Sequence, residues 1–317
     1  MANVSGQLDT VNVVNFVGEL FNLTGRDAPF KTLAAMNGLR RVTSKQFTWQ
    51  TTDNQAAAQP DIAEGQDPTF AGRDRSEVSN VVQIFQYGVE VAYSKLGNIG
   101  MLGSGGETVA TPAISVLGDQ PVSNEIEFQQ ALKLDRCAED MELSFLNGTF
   151  DNPNDTVTGR RTRGVSTAIT TNTVAAGSSD LARDHIDNLL RTMHSNRARF
   201  VRPTLMGGAI QIQRVNEAYE FVPRDRNVGG ANIRTIITPI AGELDVVINR
   251  HVTSSELLLL DMAVIKPVVM PIPGKGELFL EPVARTGAAE KSQLYGEWGI
   301  QYGPEQWHGK ITGLTTT

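Results

Sequence analysis

Alternation of apolar and polar residues is strongest between Glu77 and Ser94. There Val81, Phe85, Tyr87, Val89, Val91 and Tyr93 share one parity, while Gln86, Gly88, Glu90 and Ser94 lie on the other. That period of two predicts a strand with one covered face. A shorter strand is predicted over Val42–Asp53, where Val42, Phe47 and Trp49 stand among Thr, Gln and Ser. The 23 residues between them, 54–76, have no periodicity, and their only large apolar side chains are Ile62 and Phe70. A two-stranded ribbon is marginal alone in water, and structureless loops of this length are uncommon inside compact domains. Strands this aromatic and β-branched need covering, so the ribbon is expected to lie across another surface.

One strong helix is predicted over Glu125–Asn147. Asn124 with Glu127 three residues on reads as a capping box, and Gly148 as a stop. Ala131, Leu134, Ala138, Met141 and Phe145 recur at 3,4,3,4 spacing as one apolar stripe. Cys137 falls beside that stripe, where a buried, inert thiol is expected. Twenty-three residues at about 1.5 Å each make a rod of roughly 35 Å, which suggests an elongated subunit.

The rest is less regular. Residues 1–29 carry short apolar clusters (Val11, Val13, Val14, Phe16, Val17, Leu20, Phe21) and read as an arm with a helical turn or two. Residues 151–180 read as loop, with one strand at Val165–Ile169. A helix over Leu181–Ser195, capped by Ser179 or Asp180, turns Leu181, His185, Leu189 and Met193 to one face. A second helix is predicted over Gly208–Tyr219. Strands are predicted at Pro203–Gly207, Ile233–Ile237, Leu244–Ile248 and Leu257–Ile265, so residues 181–266 read as a compact α/β domain. Further strands follow at Glu277–Glu281, Tyr295–Tyr302 and His308–Ile311.

Composition narrows the class. With 40% hydrophobic and 20% charged residues, the chain is that of a globular protein. Lys plus Arg is 28 against 35 Asp plus Glu, a net charge of −7, so a free-standing nucleic-acid binder is not expected. Cys137 is the single cysteine, which excludes an intrachain disulfide and any multi-cysteine metal site. No basic segment followed by an apolar core opens the chain, so no secretory signal is expected. No run approaches the roughly 18 apolar residues of a membrane span.

Catalytic signals are weak. The run Leu102-Gly-Ser-Gly-Gly-Glu107 lacks the Gly-Lys-Ser/Thr that carries charge in a phosphate loop, and reads as a hinge. The four histidines (His185, His194, His251, His308) have no metal-binding spacing, and His185 reads as a satisfied core residue. A triad of His251, Asp245 and Ser254 can be drawn, but no Gly-x-Ser-x-Gly elbow supports it. Two basic clusters stand out, Arg160, Arg161 and Arg163, then Arg197, Arg199 and Arg202. They read as solvated or ion-paired faces, or as weak contacts to nucleic acid.

An arm, a long-tipped ribbon, a rod helix, a compact α/β domain and returning strands follow the order of parts in HK97-fold capsid proteins. The chain resembles the SU10-type major capsid (head) proteins of tailed bacteriophages over most of its length. The resemblance is carried by Phe47-Thr-Trp49, Val82-Gln-Ile-Phe-Gln-Tyr87, Arg161-Thr-Arg-Gly164 and Asn249-Arg-His-Val252. Its most specific element is Ala284-Arg-Thr-Gly287, Glu290-Lys291, Gly296-Glu-Trp298 and His308-Gly-Lys-Ile-Thr-Gly-Leu314.

The resemblance implies an α+β fold with an N-terminal arm (1–41), an E-loop reaching over an adjacent subunit (42–94), a peripheral domain (95–180 and 267–317) with its spine helix at 125–147, and an axial domain (181–266). It implies a structural protein, not an enzyme, with no cofactor or metal. The protein would be made in the bacterial host cytoplasm and end in the virion. Hexamers and pentamers of it would close around double-stranded DNA. A nanocompartment shell enclosing other cargo is the alternative. Implied partners are further copies of itself, a portal protein, a separate scaffolding protein, a decoration protein, and packaged DNA held without sequence preference, with no membrane. Phe47, Trp49, Ile62, Phe70, Phe85 and Tyr87 are the expected assembly contacts, with Trp49 exposed in a free subunit. Arg160, Arg161 and Arg163 are the expected genome-facing residues. Lys45 lies on a strand with no identifiable partner Asn, so a noncovalent shell is expected.

Overall fold

The computed structural model describes residues 27–53, 57–59, 61–67, 72–96, 125–154, 157–219, 235–284 and 287–316. The expected turns of the arm before residue 27, the cap at Asn124, the hinge at 102–107 and the contact Phe70 lie outside these residues. Two compact units are present. One takes in residues 87–136 and 280–294, and the larger takes in 27–86, 137–279 and 295–317.

The ribbon strands are β2 (Gln46–Thr51) and β3 (Ser76–Val81), preceded by a short β1 (Arg40–Arg41) and followed by β4 (Gln83–Ala92). The strand predicted from 77 to 94 is therefore two strands, broken at Val82, whose N–H donates to the Lys45 carbonyl at 2.9 Å. The predicted parity holds along β4, where Phe85, Val89 and Val91 are buried and Ile84, Gln86, Gly88 and Glu90 are exposed.

A helix α1 (Pro29–Ala35) precedes the ribbon, and α2 (Glu125–Asn147) has the predicted ends. Its buried stripe differs from the predicted one. Ala131 and Leu134 are exposed, and the buried apolar side chains are Cys137, Met141, Phe145 and Leu146, with Glu125 and Glu142 also buried. A repeat of 3,4,3,4 finds the face but not how far along the rod a partner covers it.

Residues predicted as loop are partly regular. Val165–Ala168 forms one helical turn, α3, where a strand was expected, and the strand β5 comes later at Thr173–Ser179. Gly164 explains the turn. A Cβ there would stand 2.5 Å from the Gly148 nitrogen and 2.5 Å from the Leu146 carbonyl oxygen. Only glycine lets this segment lie against the end of α2, and the chain must turn there.

In the larger unit a six-stranded sheet runs β5, β13 (Gly309–Leu314), β9 (Leu257–Asp261), β6 (Pro203–Gly207), β8 (Gly242–Ile248) and β7 (Thr235–Thr238). It is mixed: β6 pairs parallel with β8 and antiparallel with β9. Helices α4 (Arg183–Ser195) and α5 (Ala209–Tyr219) pack on one face, where Ile186, Leu189, Met193 and Val215 meet Leu205, Leu257 and Ile311. Four consecutive leucines in β9 are buried, as expected of a strand covered on both faces. The sheet reaches beyond the 181–266 segment at both ends, because β5 and β13 complete it. The predicted cap of α4 at Ser179 or Asp180 is instead at Ala182, whose N–H donates to His185 Nδ1 at 3.1 Å. His185 thus serves the helix end and not the core.

A second sheet is ordered β1, β10 (Lys266–Val269), β12 (Ala289–Gln301) and β11 (Leu278–Pro282), with β4 also paired to β12. Val268 stands opposite both Arg40 and Gly299. In the smaller unit the Tyr93 N–H donates to the Ala288 carbonyl at 3.1 Å, and Lys291 pairs with Glu90 at 3.2 Å.

Candidate functional site

The ribbon is where the sequence places self-association. Its base is in fact sealed by its own chain. Trp49 stacks beside Phe47 with ring centroids 6.1 Å apart and meets Tyr302 edge-on at 4.9 Å. The Trp49 indole N–H donates to the Gly303 carbonyl at 3.0 Å. A Cβ on Gly299 would stand 2.8 Å from the Val81 carbonyl oxygen and 3.1 Å from the Phe47 ring, so glycine there is what lets β12 pass beneath the ribbon. Buried Asn80 completes the seal. Its amide donates to the carbonyls of Ile300 (2.8 Å) and Arg163 (3.1 Å), and its oxygen accepts from the Arg163 N–H (2.8 Å).

Trp49 is consequently only 8% exposed in the single chain, and Phe47 and Phe85 are buried too. The expectation of an exposed Trp49 in a free subunit is therefore corrected, and these three residues are core. Tyr87 is half-buried. Ile62 is 67% exposed within a tip whose described residues 61–67 are all exposed. Of the six expected contacts, Ile62 alone presents most of its apolar side chain to solvent among the described residues.

A buried carboxylate missed by the sequence reading anchors the chain entering the ribbon. Glu142 on α2 accepts from the Phe30 and Lys31 N–H groups at 2.8 and 2.6 Å, and from the Asn249 amide at 2.6 Å. These are unsatisfied donors of the first turn of α1, which begins at Pro29. Burial pushes the Glu142 carboxyl up, while the two backbone N–H groups and Asn249 pull it back. Asn249 in turn accepts from the His251 N–H at 2.8 Å, and Arg250 pairs with Asp27 at 3.1 Å. Asn249-Arg-His251 is therefore a clamp on residues 27–31. The drawn triad is not what holds His251, and Asp245 stands instead in β8, opposite Thr204 and Thr235.

The first basic cluster is dispersed. Arg160 pairs with Glu297 at 2.9 Å, their side chains only 17% and 7% exposed, and the Tyr295 hydroxyl donates to the same carboxylate at 2.8 Å. Burial, then the bond to Glu297, pushes Tyr295 up to about 12. Arg163 lies over the Phe150 ring at 4.7 Å. Arg161 alone of the three is exposed, and its backbone is bridged to Asp151. Of the expected genome-facing trio, Arg160 and Arg163 are occupied inside the chain.

His308 is fully buried. Its Nδ1 accepts from the Asp261 N–H at 3.2 Å and its Nε2 faces the Tyr302 carbonyl at 2.7 Å. Burial holds its pKa below the ordinary histidine value, so the ring is a neutral cross-brace. Among the described residues, no group of three or more His, Cys, Asp or Glu is arranged to hold a metal. No helix among them is long and apolar enough to cross a membrane.

The family model described as SU10 major capsid protein matches residues 3–315. No curated protein matches the chain. The capsid asymmetric unit of cyanophage A-1(L) superposes with a TM-score of 0.68 at 12% identity, covering 98% of this chain and 99% of that one. The capsid of cyanophage P-SCSP1u gives 0.61 at 9% identity, covering 97% and 94%. The holo-SrpI encapsulin complex from Synechococcus elongatus PCC 7942 gives 0.58 at 13% identity, covering 96% and 93%. At such identities the likeness is one of fold.

Proposed function

Because the chain belongs to the SU10 major capsid protein family, we propose that hexamers and pentamers of it close into a noncovalent icosahedral-type head around double-stranded DNA. The fold is the HK97-like α+β capsid fold and the protein is a shell protein of a phage head, built from copies of itself. The observation that carries the reading is the family match over residues 3–315, on a chain with the fold of phage capsids. The division into arm, E-loop, peripheral and axial domains belongs to this proposal. So do synthesis in the host cytoplasm, the absence of catalysis, and the portal, scaffolding, decoration and DNA partners.

Physical chemistry supports a refined role for the ribbon. Its base is fixed to its own body, so only the tip around Ile62 is free to reach an adjacent copy. Symmetric closure gives every such tip an equivalent partner. A nanocompartment shell is the second reading, favoured by the encapsulin likeness, though at a lower TM-score than the two cyanophage capsids.

Negative-stain microscopy of the protein expressed alone tests the proposal. Closed round particles are expected, and solitary chains at high concentration would contradict it. Particles that enclose a protein in place of nucleic acid, when isolated from the native source, would favour the second reading.

A further inference from the structure

A strip of surface in the larger unit is both apolar and basic. After α1 the chain is strapped along the segment that follows β9, where the Asn37 amide donates to the carbonyls of Met262 and, at 2.8 Å, of Ile265. The strap leaves Met36 68% exposed, and Leu39 is exposed too. The Arg202 guanidinium reaches the Met36 sulfur at 3.6 Å, and Val201 beside it is 66% exposed. Further along, Arg40 donates to the Gln301 side chain at 2.7 Å, and Lys266 stands opposite Gln301 in the sheet. Met36, Leu39 and Val201 are thus flanked by Arg202, Arg40 and Lys266.

Arg202 and Arg40 direct these donors to a thioether and a neutral amide, and none of the three cations is paired with a carboxylate among the described residues. Two carboxylates touch the strip. Asp261 is buried and accepts from the Val201, Arg202 and Ala263 N–H groups, each at 3.0 Å. Glu277 is taken up by the neighbouring Arg41 at 2.7 Å. With both carboxylates and Arg41 included, the strip remains positive. The ribbon tip has the opposite character. Residues 54–72 carry Asp61, Glu64 and Asp67 and no Lys or Arg. Residues 61–67 are exposed throughout, with Ile62 as their large apolar side chain. Strip and tip are both open to solvent, so neither covers the other within one chain.

We propose that Met36, Leu39 and Val201 seat the Ile62 tip of a second copy, with Arg40, Lys266 and Arg202 facing its Asp61, Glu64 and Asp67. The contact rests on the shell reading, which says that copies pack together but not which surface receives the ribbon. Burial of Ile62 among three apolar side chains supplies attraction. The charges steer the encounter and fix its register. They also exclude the wrong pairings, because tip against tip and strip against strip bring like charges together. Two complementary patches on one chain that cannot pair with themselves make a head-to-tail contact, and such contacts close into rings.

The test is disulfide trapping in the full chain, where Cys137 is buried and offers no competing thiol. Ile62→Cys is combined with Met36→Cys, with Val201→Cys, and, as a control, with Ile237→Cys, an exposed position of β7 outside the strip. Each protein is oxidised with copper phenanthroline, denatured and run without reductant. The Met36 or Val201 pairing is expected to give a ladder of covalent multimers, and the Ile237 pairing single chains. A ladder from the Ile237 pairing alone, or from none, would overturn the seat, and so would a disulfide closed within one chain. Charge is tested separately by particle yield. Arg40→Glu with Lys266→Glu is expected to lower the yield at least about tenfold through like-charge repulsion, with the free chain melting as wild type does. Adding Asp61→Lys with Glu64→Lys is expected to restore it. An unchanged yield, or a loss that the second swap does not rescue, would overturn the charge pairing. Closed particles without a trapped pair would overturn this contact alone. Trapped multimers from chains that never close into particles would overturn the shell reading and leave the contact standing.

Discussion

At the scale of single residues, the side chains that looked most like contacts to another copy are core. Trp49 and Gly303 are 254 positions apart in sequence, and their hydrogen bond is invisible to any local pattern. The alternation that put Phe47 and Trp49 on one face was legible, but not what covers that face. Trp49→Ala is expected to lower the stability of the unassembled subunit by about 3–5 kcal/mol, the range for emptying a buried aromatic site. Trp49→Phe keeps a ring and forfeits the hydrogen bond, about 1 kcal/mol. Urea unfolding measures both, and a loss below about 1 kcal/mol for the alanine variant would return Trp49 to the surface.

His308 makes a pH prediction of definite sign. Burial depresses its folded pKa below the ordinary histidine value of about 6.5, so just under that pH the unfolded chain binds a proton that the folded chain refuses. This contribution to stability is full above about pH 6.5 and is lost as pH falls toward the folded value. His308→Gln removes the titration, so its unfolding midpoint should drop less than that of wild type between pH 7.5 and 5. Equal drops would show that the ring is not the titrating group.

Elements were more legible than contacts. The limits of α2 followed from Asn124 with Glu127 three residues on and from the Gly148 stop, because helix ends are local chemistry. The ribbon strands followed from alternation, and β2 pairs with β3 in unbroken register from Gln46 with Val81 to Thr51 with Ser76. The turn at Val165–Ala168 was misread, because its β-branched residues favour a strand and only the close approach of Gly164 to the end of α2 forces the bend. Glu142 was missed because a lone glutamate in a helix carries no local sign that a distant helix start needs its oxygens. The register predicts that residues 53–74 can be replaced by Asn-Gly, a two-residue hairpin turn. That variant should unfold as cooperatively as wild type yet form no closed particles. Normal particles by electron microscopy would remove the tip from the assembly account.

At the scale of the molecule, the family was legible in scattered segments whose roles the structure explains. Phe47 and Trp49 seal the ribbon base, Asn249 clamps the chain entering α1, Gly164 meets the end of α2, and His308 braces Tyr302. Charge was legible as a total, but not in its use, since Arg160 spends its charge on Glu297 inside the chain. The most direct test is a side-chain-resolution cryo-EM reconstruction of assembled particles, read at the ribbon. The account predicts that Trp49 keeps its contacts with Tyr302 and Gly303 of the same chain, while the tip around Ile62 lies on a different copy. A ribbon base lifted from its own body and buried in a neighbour, or a tip in contact with no other copy, would contradict it.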